Sequence, residues 1–122
     1  MKAVVYSTQS FEKEFIAKAN HKRHDITLIS NTLNLQTVQF AEGKDVVIVT
    51  AEDDLSAAVI LELKRLNVKY ITNRSNSTAH IDKTQAALSG IKIANVTDST
   101  PEEIALQTIL NLDNWQENKC NE

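Results

Sequence analysis

The sequence contains one cysteine, one proline and two glycines, and each scarcity limits what the protein can be. A lone thiol, Cys120, cannot form an internal disulfide framework, and it suits a reducing compartment. No apolar run approaches the roughly 20 residues that a membrane-spanning helix needs, and residues 1–20 lack the apolar core of a signal segment. We therefore expect a soluble, cytoplasmic protein without a membrane partner.

The two glycines, Gly43 and Gly90, belong to no Gly-rich phosphate-binding loop. Only glycine lets backbone N–H groups approach a pyrophosphate closely, so we expect no nucleotide cofactor to be bound by this chain. The three histidines have no spacing typical of a metal site. A formal net charge of −3 argues against a nucleic-acid partner. The short basic cluster around His21 and His24 is interpreted as a solvated helix face.

Short β-branched runs alternate along the chain with segments of helical periodicity. The runs that predict strands are residues 2–7, 25–30, 45–50, 69–73 and 91–96. Ser10 and either Asp53 or Asp54 are predicted to cap helices, and further helices are predicted to begin at Asp82 and at Pro101. This alternation implies right-handed crossovers between parallel strands. We predict one α/β domain, a three-layer flavodoxin-like fold with a parallel sheet of about five strands and helices on both faces.

Apolar side chains predict the buried faces of these elements. The first helix has an apolar stripe of Phe11, Phe15, Ile16 and Ala19. A short helix within residues 31–44, closed by Gly43, would bury Leu33, Leu35, Val38 and Phe40. The run Val46 to Val49 predicts a central strand that is covered on both faces.

Ligands of open parallel sheets bind beyond the carboxyl ends of the strands. Here that edge would consist of polar loops at residues 7–10, 50–54, 74–80 and 97–100. The alternative is that these loops are ordinary surface turns, which are polar in most proteins.

Four segments, taken in order, resemble one known family. They are MKAVVYSTQSFEKEF, DVVIVTAEDDLSAAVILELKRLNVKYITNRS, HIDKTQAALSGIKIANV and TDSTPEEIALQTI. Their order and spacing are similar to the substrate-binding (catalytic) domain of D-isomer-specific 2-hydroxyacid dehydrogenases of the D-lactate dehydrogenase type. The resemblance covers roughly residues 1–112.

The resemblance implies a substrate site in the loop after the fourth strand, whose backbone N–H groups hold the substrate carboxylate in the family. The matching positions run from Asn76 to Ala79, and Ser77 stands where the family has glycine. The residues expected to bind a small carboxylate are Thr50, Asn76, Ser77, Thr78 and Ser99. Arg74 would either add positive charge there or pair structurally with a carboxylate such as Asp82.

No catalytic residue is predicted in this chain. In the family the catalytic arginine, glutamate and histidine and the NAD-binding loop belong to a nucleotide domain that follows the helix matching residues 101–117. Three functions stay open. The chain is a stand-alone or truncated substrate domain that binds a small carboxylate, or part of an NAD-dependent dehydrogenase whose nucleotide domain is on another chain or removed, or a flavodoxin-like interaction scaffold.

The last helix also predicts a homodimer. Its apolar side chains at Ile104, Leu106, Leu110 and Trp115 point in too many directions to be covered by one sheet, so some would remain exposed in a monomer. The alternative is that the polar tail from Asp113 folds back over them.

Overall fold

In a computed structural model that describes residues 1–75, 77–96 and 100–120, five parallel strands form one sheet in the order β2-β1-β3-β4-β5. The strands are β1 (Lys2–Val5), β2 (Asp25–Leu28), β3 (Val46–Val49), β4 (Tyr70–Asn73) and β5 (Lys92–Asn95). The helices are α1 (Ser10–Asn20), α2 (Ala57–Arg65), α3 (Lys83–Leu88) and α4 (Pro101–Cys120), with a 3-10 helix at Val38–Ala41. The predicted flavodoxin-like α/β fold is confirmed, since this strand order is one of the two common doubly wound orders.

Strand β3 lies at the centre of the sheet, as its four β-branched residues predict. All four side chains are fully buried, and the strand pairs with β1 on one side and with β4 on the other. Residues of neighbouring strands therefore alternate between two apolar layers. One layer joins Val4 and Val47 to α2 and α3 through Ile60 and Ala86.

The second layer covers the opposite face of the sheet with α1 and α4. Val5 and Ile48 contribute from the sheet, Ile16 from α1, and Ala105 and Leu112 from α4. Helices α1 and α4 lie against each other over this face. Tyr70 of β4 also packs in this layer, where its ring stacks on Trp115 with centroids 4.5 Å apart.

Helices α1, α3 and α4 begin within one residue of their predicted positions, whereas α2 begins later than predicted. Asp82 caps α3 by accepting the N–H of Gln85 at 2.9 Å. Helix α1 is capped one residue earlier than predicted, at Gln9, whose N–H donates to Glu12 at 2.9 Å. Helix α2 begins only at Ala57, because the two acidic residues before it have other partners.

The segment before β3 also differs from its prediction. Only one 3-10 turn forms there, and with three residues per turn it cannot bury a wide apolar stripe. Leu33 and Val38 are buried, whereas Leu35 and Phe40 are exposed. Phe11, the first residue of the predicted stripe on α1, is exposed as well.

The turn after α1 contains a buried histidine where a solvated face was predicted. The ring Nε2 of His24 lies 2.7 Å from the Asp113 carboxylate of α4. The backbone of His24 is held by Asn20, which accepts its N–H at 3.0 Å and donates to its carbonyl at 2.9 Å. Because Arg23 also pairs with Asp113 at 3.2 Å, this turn fixes the middle of α4 against α1.

Helix α4 buries one face only. Ala105, Thr108, Ile109 and Leu112 are buried, and Leu106 and Leu110 are exposed on the outer side. No helix in the described residues combines the length and the apolar character that crossing a membrane requires.

Replacing Ile109 with alanine tests how far the fold depends on α4. Ile109 is fully buried, so Ile109→Ala should lower the free energy of unfolding by about 2–5 kcal/mol, as expected when a large core side chain is truncated. Leu88→Ala, which truncates a leucine at an exposed position of α3, is the control and should change stability by less than about 0.5 kcal/mol. Urea unfolding followed by circular dichroism measures both, and equal losses would mean that α4 is not anchored through this face.

Candidate functional site

The loops after β3 and β4 lie side by side at the carboxyl edge of the sheet, because the two strands pair up to Val49 and Asn73. Thr50 follows β3 directly, and Ser77 and Thr78 belong to the loop after β4. Ser77 is exposed, while Thr50 and Thr78 are half-buried. The structure thus brings three of the five predicted ligand-binding residues to one edge. The other two, Asn76 and Ser99, lie outside the described residues.

The side chain of Asn73 ties the loop after β4 to the sheet. The side chain of Asn73 donates to the carbonyl of Ser77 at 3.0 Å and to the Asn95 side chain of β5 at 3.2 Å. Within the loop, the N–H of Ser77 donates to the Ser75 hydroxyl at 3.1 Å, and the N–H of Ala79 donates to the Ser77 hydroxyl at 3.3 Å. Two N–H groups that the family resemblance assigns to a carboxylate are therefore bonded to the loop's own serines.

Arg74 is a buried structural residue at this edge. Its guanidinium pairs with the Glu12 carboxylate of α1 and donates to the carbonyl of Tyr6 at 2.7 Å. Arg74 thus forms a structural ion pair, as one of the two predicted alternatives states. The predicted partner, Asp82, is wrong, because Asp82 caps α3. Burial lowers the pKa of Arg74 to about 10, so the side chain is still charged at neutral pH. Because Glu12 neutralises that charge, Arg74 offers little attraction to an anionic ligand.

The sequence did not identify Asp53, whose side chain makes several hydrogen bonds at this edge. Its carboxylate is almost completely buried and accepts three hydrogen bonds. They come from the Ser7 hydroxyl at 2.7 Å, the Leu33 N–H at 2.8 Å and the Thr50 N–H at 2.7 Å. The adjacent pair of aspartates suggested a helix cap, and nothing in the local sequence distinguishes the buried one. Asp54, its exposed neighbour, accepts the N–H of Ser56 at 2.9 Å.

Burial favours the neutral form of two titratable side chains close to Asp53. Burial, and secondly the negative charge of Asp53, raise the pKa of Tyr6, whose hydroxyl donates to the carbonyl of Thr37 at 2.8 Å. Burial lowers the pKa of His80, with Asp53 acting in the opposite direction. Both ring nitrogens of His80 are shielded from solvent without a hydrogen-bond partner in the described part of the chain. A neutral imidazole is the form that such surroundings favour.

The two glycines do not lie where a dinucleotide-binding loop would place them. Both glycines adopt a left-handed φ, +80° at Gly43 and +72° at Gly90, and each lies just before a strand, at the amino edge of the sheet. A pyrophosphate would need a glycine-rich turn at the opposite edge, between a strand and the start of a helix. Within the described residues, no three His, Cys, Asp or Glu side chains are grouped as metal ligands would be.

Comparison with known proteins relates this chain to a family of enzymes. The profile of the family described as "D-isomer specific 2-hydroxyacid dehydrogenase, catalytic domain" matches residues 3–108. A 2-hydroxyacid dehydrogenase homolog of Haemophilus influenzae is 33% identical over 110 residues, which are 89% of this chain and 33% of that protein. The chain thus spans about one third of the length of the curated relatives that it matches.

Solved structures agree with this match. The apo-structure of D-lactate dehydrogenase from Escherichia coli superposes with a TM-score of 0.76 and 31% identity, over 79% of this chain and 31% of that one. A D-lactate dehydrogenase from Lactobacillus jensenii, solved with NAD+, superposes with a TM-score of 0.72 and 25% identity, over 92% of this chain and 36% of that one.

The Arg74–Glu12 pair can be tested by removing the charge of one partner. Glu12→Gln leaves the buried guanidinium without a counter-charge and should lower the free energy of unfolding by about 3–5 kcal/mol. Glu14→Gln, at an exposed position of the same helix, is the control and should be nearly neutral, within about 0.5 kcal/mol. Chemical unfolding at pH 7 measures both variants. A Glu12→Gln chain as stable as the Glu14→Gln chain would show that the pair contributes nothing to the fold.

Proposed function

The chain belongs to the D-isomer specific 2-hydroxyacid dehydrogenase family, and from this we propose that it binds a small 2-oxo- or 2-hydroxycarboxylate at the edge formed by the loops after β3 and β4. The observation that supports the proposal is the placement of Thr50 beside the loop that holds Ser77 and Thr78. Asn76 and Ser99 are proposed to complete the site by family resemblance.

The chemistry of these groups suits a hydroxy acid. The hydroxyl oxygen of Thr50 accepts the N–H of Glu52 at 3.3 Å, which leaves its proton to be donated to a ligand oxygen. Ser77 and Thr78 add hydroxyl donors from the neighbouring loop. A carboxylate binds through several such donors when no free cation is near, as in sites built from backbone N–H groups.

Oxidation of a bound hydroxy acid needs more than these residues. In the family, NAD accepts a hydride from the carbon that carries the hydroxyl. Because the glycines here lie at the wrong edge for a dinucleotide, we propose that the chain binds substrate and is not competent for turnover alone. A nucleotide-binding unit from elsewhere, either in the same protein or on a partner chain, would have to supply the cofactor.

We further propose that two copies associate through α1 and α4. Phe11 of α1 and Leu106 and Leu110 of α4 are exposed by 41 to 56% on this face. Lys18 and Glu102 flank Leu106 in the cleft between the two helices, so a second copy related by a twofold axis can match positive to negative groups. Trp115 is not part of the proposed interface, contrary to the prediction, because its ring is stacked on Tyr70 within the chain.

Titration of the 15N-labelled chain with sodium pyruvate tests the binding site. We expect the amide signals of Thr50, Ser77 and Thr78 to move in a saturable manner at up to tens of millimolar pyruvate, while equimolar sodium chloride has no such effect. Thr50→Val, which removes the hydroxyl at nearly constant shape, should weaken binding, and Thr27→Val on exposed β2 should not. Micromolar NADH should give no saturable fluorescence change. Spectra that stay silent with pyruvate, lactate and glyoxylate would refute the proposal and favour a scaffold role.

The proposed dimer predicts a mass twice that of the monomer in sedimentation equilibrium at tens of micromolar chain. Leu106→Asp combined with Leu110→Asp should return the mass to that of a monomer with an unchanged circular dichroism spectrum, because both side chains are exposed. The control is Leu88→Asp, a change at an exposed position of α3 on the other face of the sheet. A monomeric mass for the unmodified chain would rule the dimer out.

A further inference from the structure

The carboxylate of Asp53 is an unusual group to find inside this fold, because no cation in the described part of the chain pairs with it. Among the described residues no Lys, Arg or His nitrogen lies within ion-pair distance of Asp53, and its three hydrogen-bond donors are all neutral. Removing a carboxylate from water costs several kcal/mol unless hydrogen bonds replace the lost solvation. The three donors therefore replace much of the solvation that Asp53 loses on burial.

The three donors belong to segments that are distant in sequence. Ser7 lies two residues after β1, Leu33 lies in the segment after β2, and Thr50 directly follows β3. Ser7 has a left-handed φ of +54°, a conformation that costs a residue other than glycine roughly 1 kcal/mol, and its hydroxyl bond to Asp53 helps to hold it there. The Asp54 N–H also donates to the Leu33 carbonyl at 2.8 Å, and this bond ties the loop after β3 to the segment after β2.

The backbone of Thr50 is fixed by two hydrogen bonds to Asp53. One Asp53 oxygen accepts the Thr50 N–H at 2.7 Å, while the Asp53 N–H donates to the Thr50 carbonyl at 3.1 Å. The two bonds close a tight ring around residues 50–53. This ring sets the direction of the Thr50 side chain at the edge where the ligand is proposed to bind.

We propose that Asp53 is a positioning residue of the carboxylate site. It does not touch the ligand, since both of its oxygens are directed at the protein. Its charge holds the turn at residues 50–53 in the conformation that presents Thr50 next to the loop of Ser77 and Thr78. This inference rests on the proposed function and adds that the affinity of the site depends on a buried residue outside it.

The test compares three variants in their affinity for sodium pyruvate, measured by chemical-shift titration, and in their thermal midpoint. Asp53→Ala removes the acceptor of the Thr50 N–H and should weaken binding by about tenfold, the size expected for losing a hydrogen bond to a charged group. Asp54→Ala, at the exposed neighbouring position, should bind as the unmodified chain does. Ser7→Ala removes only the hydroxyl donor and should lower the midpoint while leaving the affinity within about twofold.

The outcomes separate the two ideas. If the unmodified chain binds no pyruvate, the proposed function fails and this inference fails with it. If it binds, and folded Asp53→Ala binds equally well, the positioning role is refuted while the proposed function stands. A purely structural role would lower the thermal midpoint of Asp53→Ala without changing the affinity of the folded protein.

If Asp53→Ala does not fold, hydrogen exchange of the unmodified chain tests the positioning role instead. A preformed bond to Asp53 predicts that the Thr50 amide exchanges as slowly as the amides of β3, with and without pyruvate. A rapidly exchanging Thr50 amide would overturn the inference.

Discussion

A carboxylate that is buried without a cation must be satisfied by neutral donors, and Asp53 receives them from three loops at the carboxyl edge of the sheet. The ends of β1 and β3 and the segment after β2 are therefore held in one arrangement. Each bond makes the others more favourable, because a half-satisfied buried charge would be worse than none. The shape of the candidate site depends on this one group, although Asp53 itself faces away from the solvent.

Buried polar groups in this protein are concentrated where the strands end. Ser7, Thr8, Asp53, Thr72, Asn73 and Arg74 are all buried near the carboxyl edge, whereas β3 itself is lined only by valine and isoleucine. The apolar sheet supplies most of the stability, and the polar edge fixes the geometry of the loops. A second, smaller polar group, around His24 and Asp113, has a different task, since it holds α4 against α1. Buried polar residues thus fix the loops at the carboxyl edge in one place and hold α4 against α1 in another.

The loop after β4 shows how this chain departs from the family pattern. Serine stands at position 77 where the family has glycine, and its hydroxyl accepts the N–H of Ala79. The N–H of Ser77 is in turn bonded to the Ser75 hydroxyl. A ligand carboxylate that uses these N–H groups has to displace hydroxyls of the loop itself. The fold of the family is kept, while the N–H groups of Ser77 and Ala79 are bonded to hydroxyls of the same loop.

The amino-acid sequence by itself determined the parallel α/β architecture, the central place of β3, the cap at Asp82 and the family, because these depend on local periodicity and on the order of short motifs. It did not determine which charged residues are buried. Asp53 and Asp54 look alike in sequence, as do His21 and His24, and only the packing of distant segments makes one of each pair buried. The guanidinium of Arg74 likewise pairs with the carboxylate of Glu12, which is 62 residues away in the sequence. Local patterns contain no information on such contacts, since the crossover connections of the folded sheet alone bring these side chains together.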